Sequence, residues 1–191
     1  MCLDRFMYNE IISSALLNVV IAYLIGSIPF SVLASKYLLK KDIRKVGSGN
    51  IGVSNAYRAG GFLFSLAVAI VDVSKGFFVC TYLLPGSLGM LSVCVGQMFP
   101  ITLGLNGGKG VACYIGSFAS TNPLAAAVLG VGWMLLTKVT KMPFVSSMLL
   151  LIASIAFVQV DAYVVLTMAL IVIRHKTNIV DFCNKFYKKE K

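Results

Sequence analysis

The fold of this chain is decided by residues 62–84, which read FLFSLAVAIVDVSKGFFVCTYLL. These 23 residues contain only two charged side chains, Asp72 and Lys75. A helix needs about 20 predominantly apolar residues to cross the hydrocarbon core of a bilayer. The stretch therefore predicts a membrane-spanning helix over Phe62–Leu84, and Pro85-Gly86 directly after it predicts a turn.

The composition of the whole chain agrees with a membrane protein. Of the 191 residues, 58% are apolar, 17 are basic and 7 are acidic, and the mean hydropathy is +0.87. A soluble domain of this length could not bury so much apolar surface in one core, so the bilayer must act as solvent for part of it. Since we find no internal repeat and no low-complexity tract, we predict a single domain over residues 1–191.

Further apolar runs lie on both sides of the central stretch. Together they predict an all-α fold, an integral membrane bundle of seven short transmembrane helices. The runs are Ile11–Leu39, interrupted at Gly26-Ser27-Ile28-Pro29; Phe62–Leu84; Ser87–Leu105; two short helices within 110–137, separated at Asn122-Pro123; and a hairpin of two helices between Lys141 and Arg174.

The distribution of basic residues tests this count of crossings. With seven crossings, residues 40–61, 106–109, 138–142 and 174–191 lie on one side of the membrane and carry 14 of the 17 basic residues. The loops of the opposite side carry none. Because cytoplasmic loops are enriched in Lys and Arg, the pattern predicts the N-terminus outside and the C-terminus in the cytoplasm.

The charge and the cysteines also exclude other classes of protein. The net charge of +10 sits in short segments between apolar runs, which is typical of membrane helix ends and not of a nucleic-acid interface. The five cysteines are odd in number and scattered, so they indicate no disulfide framework. A histidine-based metal cluster is excluded because His175 is the only histidine.

Two polar segments rich in glycine interrupt the apolar runs. The first glycine loop, residues 44–55, reads RKVGSGNIGVSN, and Arg58 follows it. Glycines allow tight turns that direct backbone N–H groups toward one point, and such groups bind anions when a basic side chain is near. A flexible polar connection is the alternative, but the density of Ser and Asn between two arginines favours an anion site.

The second glycine loop, residues 106–110, reads NGGKG and opens the fourth predicted helix. An anion there would meet N-terminal amides and the positive end of the helix dipole, with Lys109 as a point charge. A nucleotide-binding P-loop is excluded, because Leu103 occupies the position of its first glycine and Gly110 follows the lysine.

Polar residues within the predicted spans are further candidates. Asp72 and Lys75 at i, i+3 can form an intramembrane ion pair, for which a structural and a functional role carry equal weight. Gln97 lies at a depth where a polar side chain should face the bundle or a cavity. At the end of the last span, His175 and Asn178 would share a helix face, although cations there are also explained by the helix dipole.

These segments together resemble the PlsY-type membrane glycerol-3-phosphate acyltransferases of bacteria, almost from end to end. The matching segments, in chain order, are Gly26-Ser27-Ile28-Pro29, Asp42-Ile43-Arg44, Gly47-Ser48-Gly49-Asn50-Ile51-Gly52, Ser54-Asn55, Asp72 with Lys75-Gly76, Gly96 with Pro100, Gly107-Gly108-Lys109-Gly110-Val111-Ala112, and His175 with Asn178-Ile179.

The resemblance implies transfer of a fatty acyl group from acyl phosphate to the 1-hydroxyl of sn-glycerol 3-phosphate, giving lysophosphatidic acid and phosphate. This is the first acylation step of phospholipid synthesis. The resemblance implies no cofactor, and specifically no nucleotide, metal or acyl-CoA. The expected partners are the two substrates and membrane lipid, with the soluble enzyme that makes acyl phosphate as a further candidate and no nucleic acid. The expected location is the bacterial cytoplasmic (inner) membrane, with the active site facing the cytoplasm.

Acyl phosphate is a mixed anhydride whose leaving group needs little acid assistance. The protein must therefore chiefly neutralise phosphate charge, orient the substrates and stabilise an oxyanion. The expected catalytic residues are Ser48, Asn50, Lys109 and His175. The expected substrate-binding residues are Ser27, Arg44, Ser54, Asn55, Arg58, Lys75, Gln97, Gly107, Gly108 and Asn178.

The chain departs from the family pattern at three places. Gln97 stands where the family commonly has His, Met142-Pro143-Phe144 stands where Ser is expected, and Val180-Asp181-Phe182 replaces the usual tail. With glutamine at position 97, either His175 or the substrate phosphate must take the hydroxyl proton, and we favour the phosphate.

Two other functions fit the sequence less well. A small transporter for a phosphorylated metabolite would suit broken helices and a buried ion pair, but we find no inverted repeat. An acyl-CoA-dependent acyltransferase usually carries His-x4-Asp, whereas five residues separate His175 from Asp181.

Overall fold

The computed structural model describes residues 2–187, and their side chains over residues 13–184. Every regular element in this part of the chain is helical, which confirms the all-α prediction. The helices are α1 (Cys2–Ser27), α2 (Phe30–Leu38), α3 (Val53–Phe78), α4 (Ser87–Met98), α5 (Val111–Ala119), α6 (Pro123–Thr140), α7 (Pro143–Ser154), α8 (Ala162–Arg174) and α9 (Lys176–Tyr187), with 3₁₀ turns at Ile43–Lys45 and Ile101–Leu103 and a π turn at Val79–Leu83.

Three helical segments of the described chain are long and apolar enough to cross a membrane: Ser13–Leu38, Val53–Leu83 and Pro123–Thr140. The segments Ala162–Arg174 and Lys176–Asn184 qualify together as a fourth, with a bend of 48° between them. The nine residues of α5 extend about 14 Å, less than half the thickness of the hydrocarbon core. Seven crossings and the orientation of the two termini therefore stay predictions.

The predicted interruptions of the apolar runs are confirmed. The first run breaks between α1 and α2 at Ile28-Pro29. The second break lies between α5 and α6, where the Asn122 side chain accepts a hydrogen bond from the Ala125 N–H at 3.1 Å and Pro123 occupies the first turn. The last long apolar run divides into α7 and α8, as predicted. The two helices do not form the predicted hairpin, because α7 packs against α6 and α8 packs against α4.

Residues 40–61, which separate the first two predicted spans, include a short helical segment that the sequence did not predict. Helix α3 begins at Val53, upstream of the predicted start at Phe62. The reason is burial: Ala56 is fully buried in a cluster with Val32 and Ile43, so this short helical segment has an apolar face to pack. Gly61, with φ +74°, then interrupts the regular helix geometry.

Close packing of two helix pairs depends on glycine. In the pair α1 and α4, a Cβ at Gly96 would lie 2.1 Å from the Tyr23 carbonyl oxygen. In the pair α3 and α5, a Cβ at Gly116 would lie 1.9 Å from the Val73 carbonyl oxygen, and one at Gly76 would lie 2.1 Å from that of Cys113. Small residues commonly allow such close backbone approach between membrane helices. These contacts fix α5 against α3, and both helices begin beside the cavity described next.

Candidate active site

A cavity of about 390 Å³ lies between α3, α5 and the α6–α7 hairpin, and it is bounded by the first glycine loop and the junction of α8 and α9. Its polar lining comes from Ser48, Asn50, Ser54, Asn55, Arg58, Asp72, Gln97, Lys109, Ser147, His175 and Asn178. Its apolar lining includes Leu66, Ile70, Ile115, Trp133, Met134 and Phe144. The structure thus brings together nine of the fourteen predicted site residues, which are far apart in sequence.

Asn55 organises the first glycine loop. Its side chain is buried; Oδ1 accepts a hydrogen bond from the Ser48 N–H at 3.1 Å, and Nδ2 donates to the carbonyl oxygens of Ile43 and Val46 at 3.0 and 2.9 Å. Gly47 has φ +55° and passes so close that a Cβ would lie 2.5 Å from Asn55 Oδ1. Asn55 therefore holds the loop that presents Ser48 to the cavity.

The N-terminus of α3 forms one side of the polar end. Asn50 Oδ1 accepts a hydrogen bond from the N–H of Gly52, the residue that precedes the helix, at 2.8 Å. Val53 and Ser54 belong to the first turn, whose N–H groups have no acceptor within the helix. Both residues line the cavity, as does Arg58 one turn further along. This side of the cavity therefore carries positive potential from the helix dipole and from a guanidinium.

The amides of Gly107 and Gly108, in the second glycine loop, are bonded within the protein and do not face an anion. Gly107 N–H donates to the Met98 carbonyl oxygen at 3.2 Å, and Gly108 N–H donates to that of Gln97 at 2.9 Å. The two amides close the end of α4, so Gly107 and Gly108 are not anion donors here. The first residues of α5, Val111 and Ala112, line the cavity instead, and their amides have no acceptor within the helix.

Lys109 stands between this helix N-terminus and α9. Its ammonium group donates a hydrogen bond to Asn178 Oδ1, and both residues line the cavity. Burial, together with the nearby charges of Arg174 and Arg58, lowers the pKa of Lys109 to about 8. Three cations share this region, and no ion pair between Lys109 and a carboxylate is formed among the described side chains. This arrangement favours the binding of an anion.

His175 is buried where α8 ends and α9 begins. Its Nδ1 lies 2.8 Å from the Ile171 carbonyl oxygen. A carbonyl oxygen can only accept, so Nδ1 carries the ring proton and Nε2 of the neutral ring is an acceptor. His175 lines the cavity, and its free acceptor nitrogen can serve a substrate hydroxyl.

The Asp72–Lys75 pair has a structural partner in Gln97. Lys75 Nζ donates to Asp72 Oδ1 at 2.8 Å, to Gln97 Oε1 at 3.2 Å and to the Ile28 carbonyl oxygen at 2.6 Å. Gln97 Nε2 donates to Asp72 Oδ2 at 2.9 Å. An ammonium group has three N–H donors, and all are used. These bonds give Lys75 a structural role at the break between α1 and α2, and its binding of substrate stays a prediction.

Two further predicted substrate-binding residues lie away from the cavity lining. Ser27 is buried, and its hydroxyl donates to the Gly96 carbonyl oxygen at 3.4 Å across the α1–α4 contact. Arg44 pairs with Asp42, with Nη2–Oδ2 and Nε–Oδ1 distances of 2.7 and 3.0 Å. This bond lowers the pKa of Asp42 and raises that of Arg44. The pair uses Nε and Nη2 of Arg44, and the other N–H groups of the guanidinium lie on a side chain that is 43% exposed.

Sequence reasoning missed two contributors to the site. Arg174 donates from Nη2 to the Gly107 carbonyl oxygen at 2.8 Å and from Nε to that of Gly108 at 3.2 Å, and so it holds the second glycine loop. Its guanidinium also lies 5.2 Å from the centre of the Phe99 ring. The second contributor is the α6–α7 hairpin, where Trp133 donates to the Ser147 hydroxyl at 3.0 Å. The only signal in the sequence was that Trp133 is the single tryptophan.

Similarity to known proteins identifies the family of this chain. Residues 16–185 match the family model described as glycerol-3-phosphate acyltransferase. Glycerol-3-phosphate acyltransferase 2 of Bacillus anthracis is 38% identical over 177 residues, which cover 86% of this chain and 93% of that protein. The glycerol-3-phosphate acyltransferase of Anaeromyxobacter sp. (strain Fw109-5) is 36% identical over 187 residues, covering 86% and 90%.

The fold matches as well. The crystal structure of PlsY (YgiH), an integral membrane glycerol 3-phosphate acyltransferase, in its glycerol 3-phosphate form superposes with a TM-score of 0.78 at 30% identity, covering 90% of this chain and 93% of that chain. Its lysophosphatidic acid form superposes with a TM-score of 0.77 at 29% identity, with the same coverage. With the long apolar helices, these matches confirm a PlsY-type, multi-pass membrane enzyme that acylates glycerol 3-phosphate. The chain belongs to the glycerol-3-phosphate acyltransferase family.

Proposed function

We propose that this enzyme takes its acyl group from acyl phosphate and transfers it to the 1-hydroxyl of sn-glycerol 3-phosphate, giving lysophosphatidic acid and phosphate. The observation that carries the proposal is that one cavity has a cationic end, at Arg58 and Lys109, that continues into an apolar end between α3 and the α6–α7 hairpin. Both substrates bring a phosphate, and one of them also brings a long apolar chain.

The cationic end suits two phosphate groups. The N-termini of α3 and α5 both meet the cavity there, and helix N-termini bind anions through free amides and the helix dipole. Lys109 and Arg58 add full charges. Ser48, Asn50 and Ser54 offer neutral hydrogen-bonding groups that can orient the glycerol and the acyl carbonyl. Such preorganised donors stabilise the charge that develops on the carbonyl oxygen.

The reaction then needs one proton transfer. The 1-hydroxyl oxygen attacks the acyl carbonyl carbon, the bond from that carbon to the phosphate oxygen breaks, and the departing phosphate takes the hydroxyl proton. Before this step His175 Nε2 accepts a hydrogen bond from the hydroxyl and orients its oxygen, and the single hydroxyl proton leaves that bond for the departing phosphate as the reaction proceeds. In this scheme no protein side chain has to act as the base, so Gln97 in place of the family histidine is compatible with activity.

We further propose seven crossings with the N-terminus outside and the C-terminus inside, in the bacterial cytoplasmic membrane. The active site then faces the cytoplasm, where glycerol 3-phosphate and the soluble enzyme that makes acyl phosphate are found. The concentration of basic residues in the segments that flank the cavity supports this orientation.

The donor is tested by assaying the purified protein with palmitoyl phosphate, palmitoyl-CoA and palmitoyl acyl-carrier protein, each with glycerol 3-phosphate. We expect lysophosphatidic acid and inorganic phosphate from palmitoyl phosphate alone. Turnover with either thioester at an equal or higher kcat/KM would refute acyl phosphate as the donor, while leaving the acceptor unchanged.

A further inference from the structure

The apolar end of the cavity has a wall made partly of glycine. Helix α5 packs against both α3 and α6, so it forms the floor of the space between them. On the α3 side this space is lined by Leu66 and Ile70, and on the α6 side by Gly130 and Met134. Ile70 and Met134 are 57% and 52% exposed, so the cavity reaches the surface that meets the acyl region of the bilayer.

Gly130 lies at the end of the cavity that is remote from the phosphates. The polar end is formed where α3 and α5 begin and where α6 passes into α7. Of the α6 residues that line the cavity, Gly130 is the farthest from that α6–α7 connection. On α3, the regular helix resumes after the interruption at Gly61, and Ile70 lies about 12 Å along it from Phe62, from the rise of 1.5 Å per residue. A short acyl chain can therefore end before it reaches Gly130, and a long one cannot.

The space beside Gly130 is open. A Cβ built at this position meets no atom within 4 Å, in contrast to Gly76, Gly96 and Gly116, where a Cβ would lie about 2 Å from a backbone oxygen. Gly130 is therefore not required for helix packing. The observation that distinguishes Gly130 is that it lines the cavity.

We propose that Gly130 is a specificity-determining residue, whose missing side chain leaves room for the distal part of a long acyl chain between α3 and α6. The proposal deepens the function proposed above and rests on it for the identity of the acyl donor. A side chain at position 130 would project into the path of the chain and shorten the longest donor that the enzyme accepts.

Gly132 offers a matched control. It lies two residues away on the same helix, a Cβ there also meets no atom within 4 Å, and it does not line the cavity. Gly130→Leu and Gly132→Leu change composition and helix propensity identically. Only the first fills the proposed acyl space.

The experiment measures kcat/KM of the purified full-length enzyme for octanoyl phosphate and palmitoyl phosphate. We expect Gly130→Leu to lower kcat/KM for palmitoyl phosphate by about 10-fold or more, the scale of steric discrimination in an apolar pocket, and to leave octanoyl phosphate unaffected. Gly132→Leu should leave both values unchanged, and Gly130→Ala should cause a smaller loss for palmitoyl phosphate alone.

Three results would overturn the proposal. The first is an equal loss of kcat/KM with both donors in Gly130→Leu and Gly130→Ala. The second is a loss in Gly132→Leu equal to that in Gly130→Leu, and the third is no loss of kcat/KM for palmitoyl phosphate in Gly130→Leu. If the native enzyme uses acyl-CoA and not acyl phosphate, the proposed donor fails. In that case octanoyl-CoA and palmitoyl-CoA with the same variants decide the role of Gly130 separately.

Discussion

At the scale of single residues, the polar end of the cavity is organised by partners within the protein. Asn55 fixes the backbone that carries Ser48, and Asn178 accepts a hydrogen bond from Lys109. Arg174 holds the carbonyl groups of the loop in which Lys109 stands. Such support places charged groups before the substrate arrives, which lowers the reorganisation needed during the reaction.

The first prediction concerns the charge of Lys109. Its pKa is lowered to about 8 by burial and by neighbouring cations, so the side chain is charged below that pH and loses its charge above it. Because kcat/KM reports ionisations of the free enzyme, we expect kcat/KM to fall as the pH rises through about 8. Lys109→Ala should lower kcat/KM by about 100-fold at neutral pH, the scale seen on removing one electrostatic stabiliser.

Lys109→Arg separates this ionisation from others. Arginine stays charged throughout this range, so any activity that the variant retains should not decline near pH 8. A decline near pH 8 that persists in Lys109→Arg would assign the ionisation to another group.

The second prediction concerns His175. If Nε2 only accepts a hydrogen bond from the substrate hydroxyl, the side-chain oxygen of His175→Gln can replace it, whereas His175→Leu cannot. We expect His175→Gln to keep at least about ten times the kcat of His175→Leu, because one hydrogen bond to a developing charge is worth that much or more. Equal and severe losses in both variants would instead identify His175 as the proton acceptor and exclude our scheme.

At the scale of helices, the position of Lys109 and of the first-turn amides depends on how closely α5 approaches α3. Gly76 and Gly116 remove the side chains that would keep the two backbones apart. The sequence alone could not show this dependence, because glycines within an apolar run look alike whether they face a neighbour or open space, as Gly130 and Gly132 do.

The third prediction uses this difference. Gly116→Ala should lower the free energy of unfolding by about 1–3 kcal/mol, the usual cost of overpacking, because its Cβ would lie 1.9 Å from the Val73 carbonyl oxygen. Activity should also fall, since α5 carries the anion site at its N-terminus. Gly132→Ala, in open space, should keep or slightly raise stability through helix propensity. Thermal unfolding in detergent measures both variants, and equal melting temperatures would show that α3 and α5 can separate without cost.

At the scale of the whole molecule, hydropathy predicted the helical architecture and most of its breaks, because apolar length and proline act locally. It did not predict that α3 starts at Val53, where burial of Ala56 overrides the polar surroundings. Nine of the fourteen predicted site residues meet at one cavity. The other five lie outside its lining, and their contacts, such as that of Lys75 with the Ile28 carbonyl oxygen, join distant parts of the chain and leave no local pattern.

The last prediction concerns orientation in the membrane. With seven crossings, Lys41 and Lys141 lie on the cytoplasmic side, and Pro85 and Val160 lie on the opposite side; all four are exposed. Single cysteines at these positions, in a variant that lacks the five native cysteines, can be labelled in intact cells with a thiol reagent that does not cross the membrane.

We expect labelling of Pro85→Cys and Val160→Cys in intact cells, and labelling of Lys41→Cys and Lys141→Cys only after the membrane is opened. The physical reason is that segments rich in Lys and Arg are retained on the cytoplasmic side during insertion. Labelling of Lys41→Cys from outside would invert the orientation and place the phosphate site away from its substrates. Labelling of Lys141→Cys from outside, with Lys41→Cys protected, would instead show that the chain crosses the membrane fewer times between α3 and α7. This part of the count is the critical one, because α5 has only nine residues.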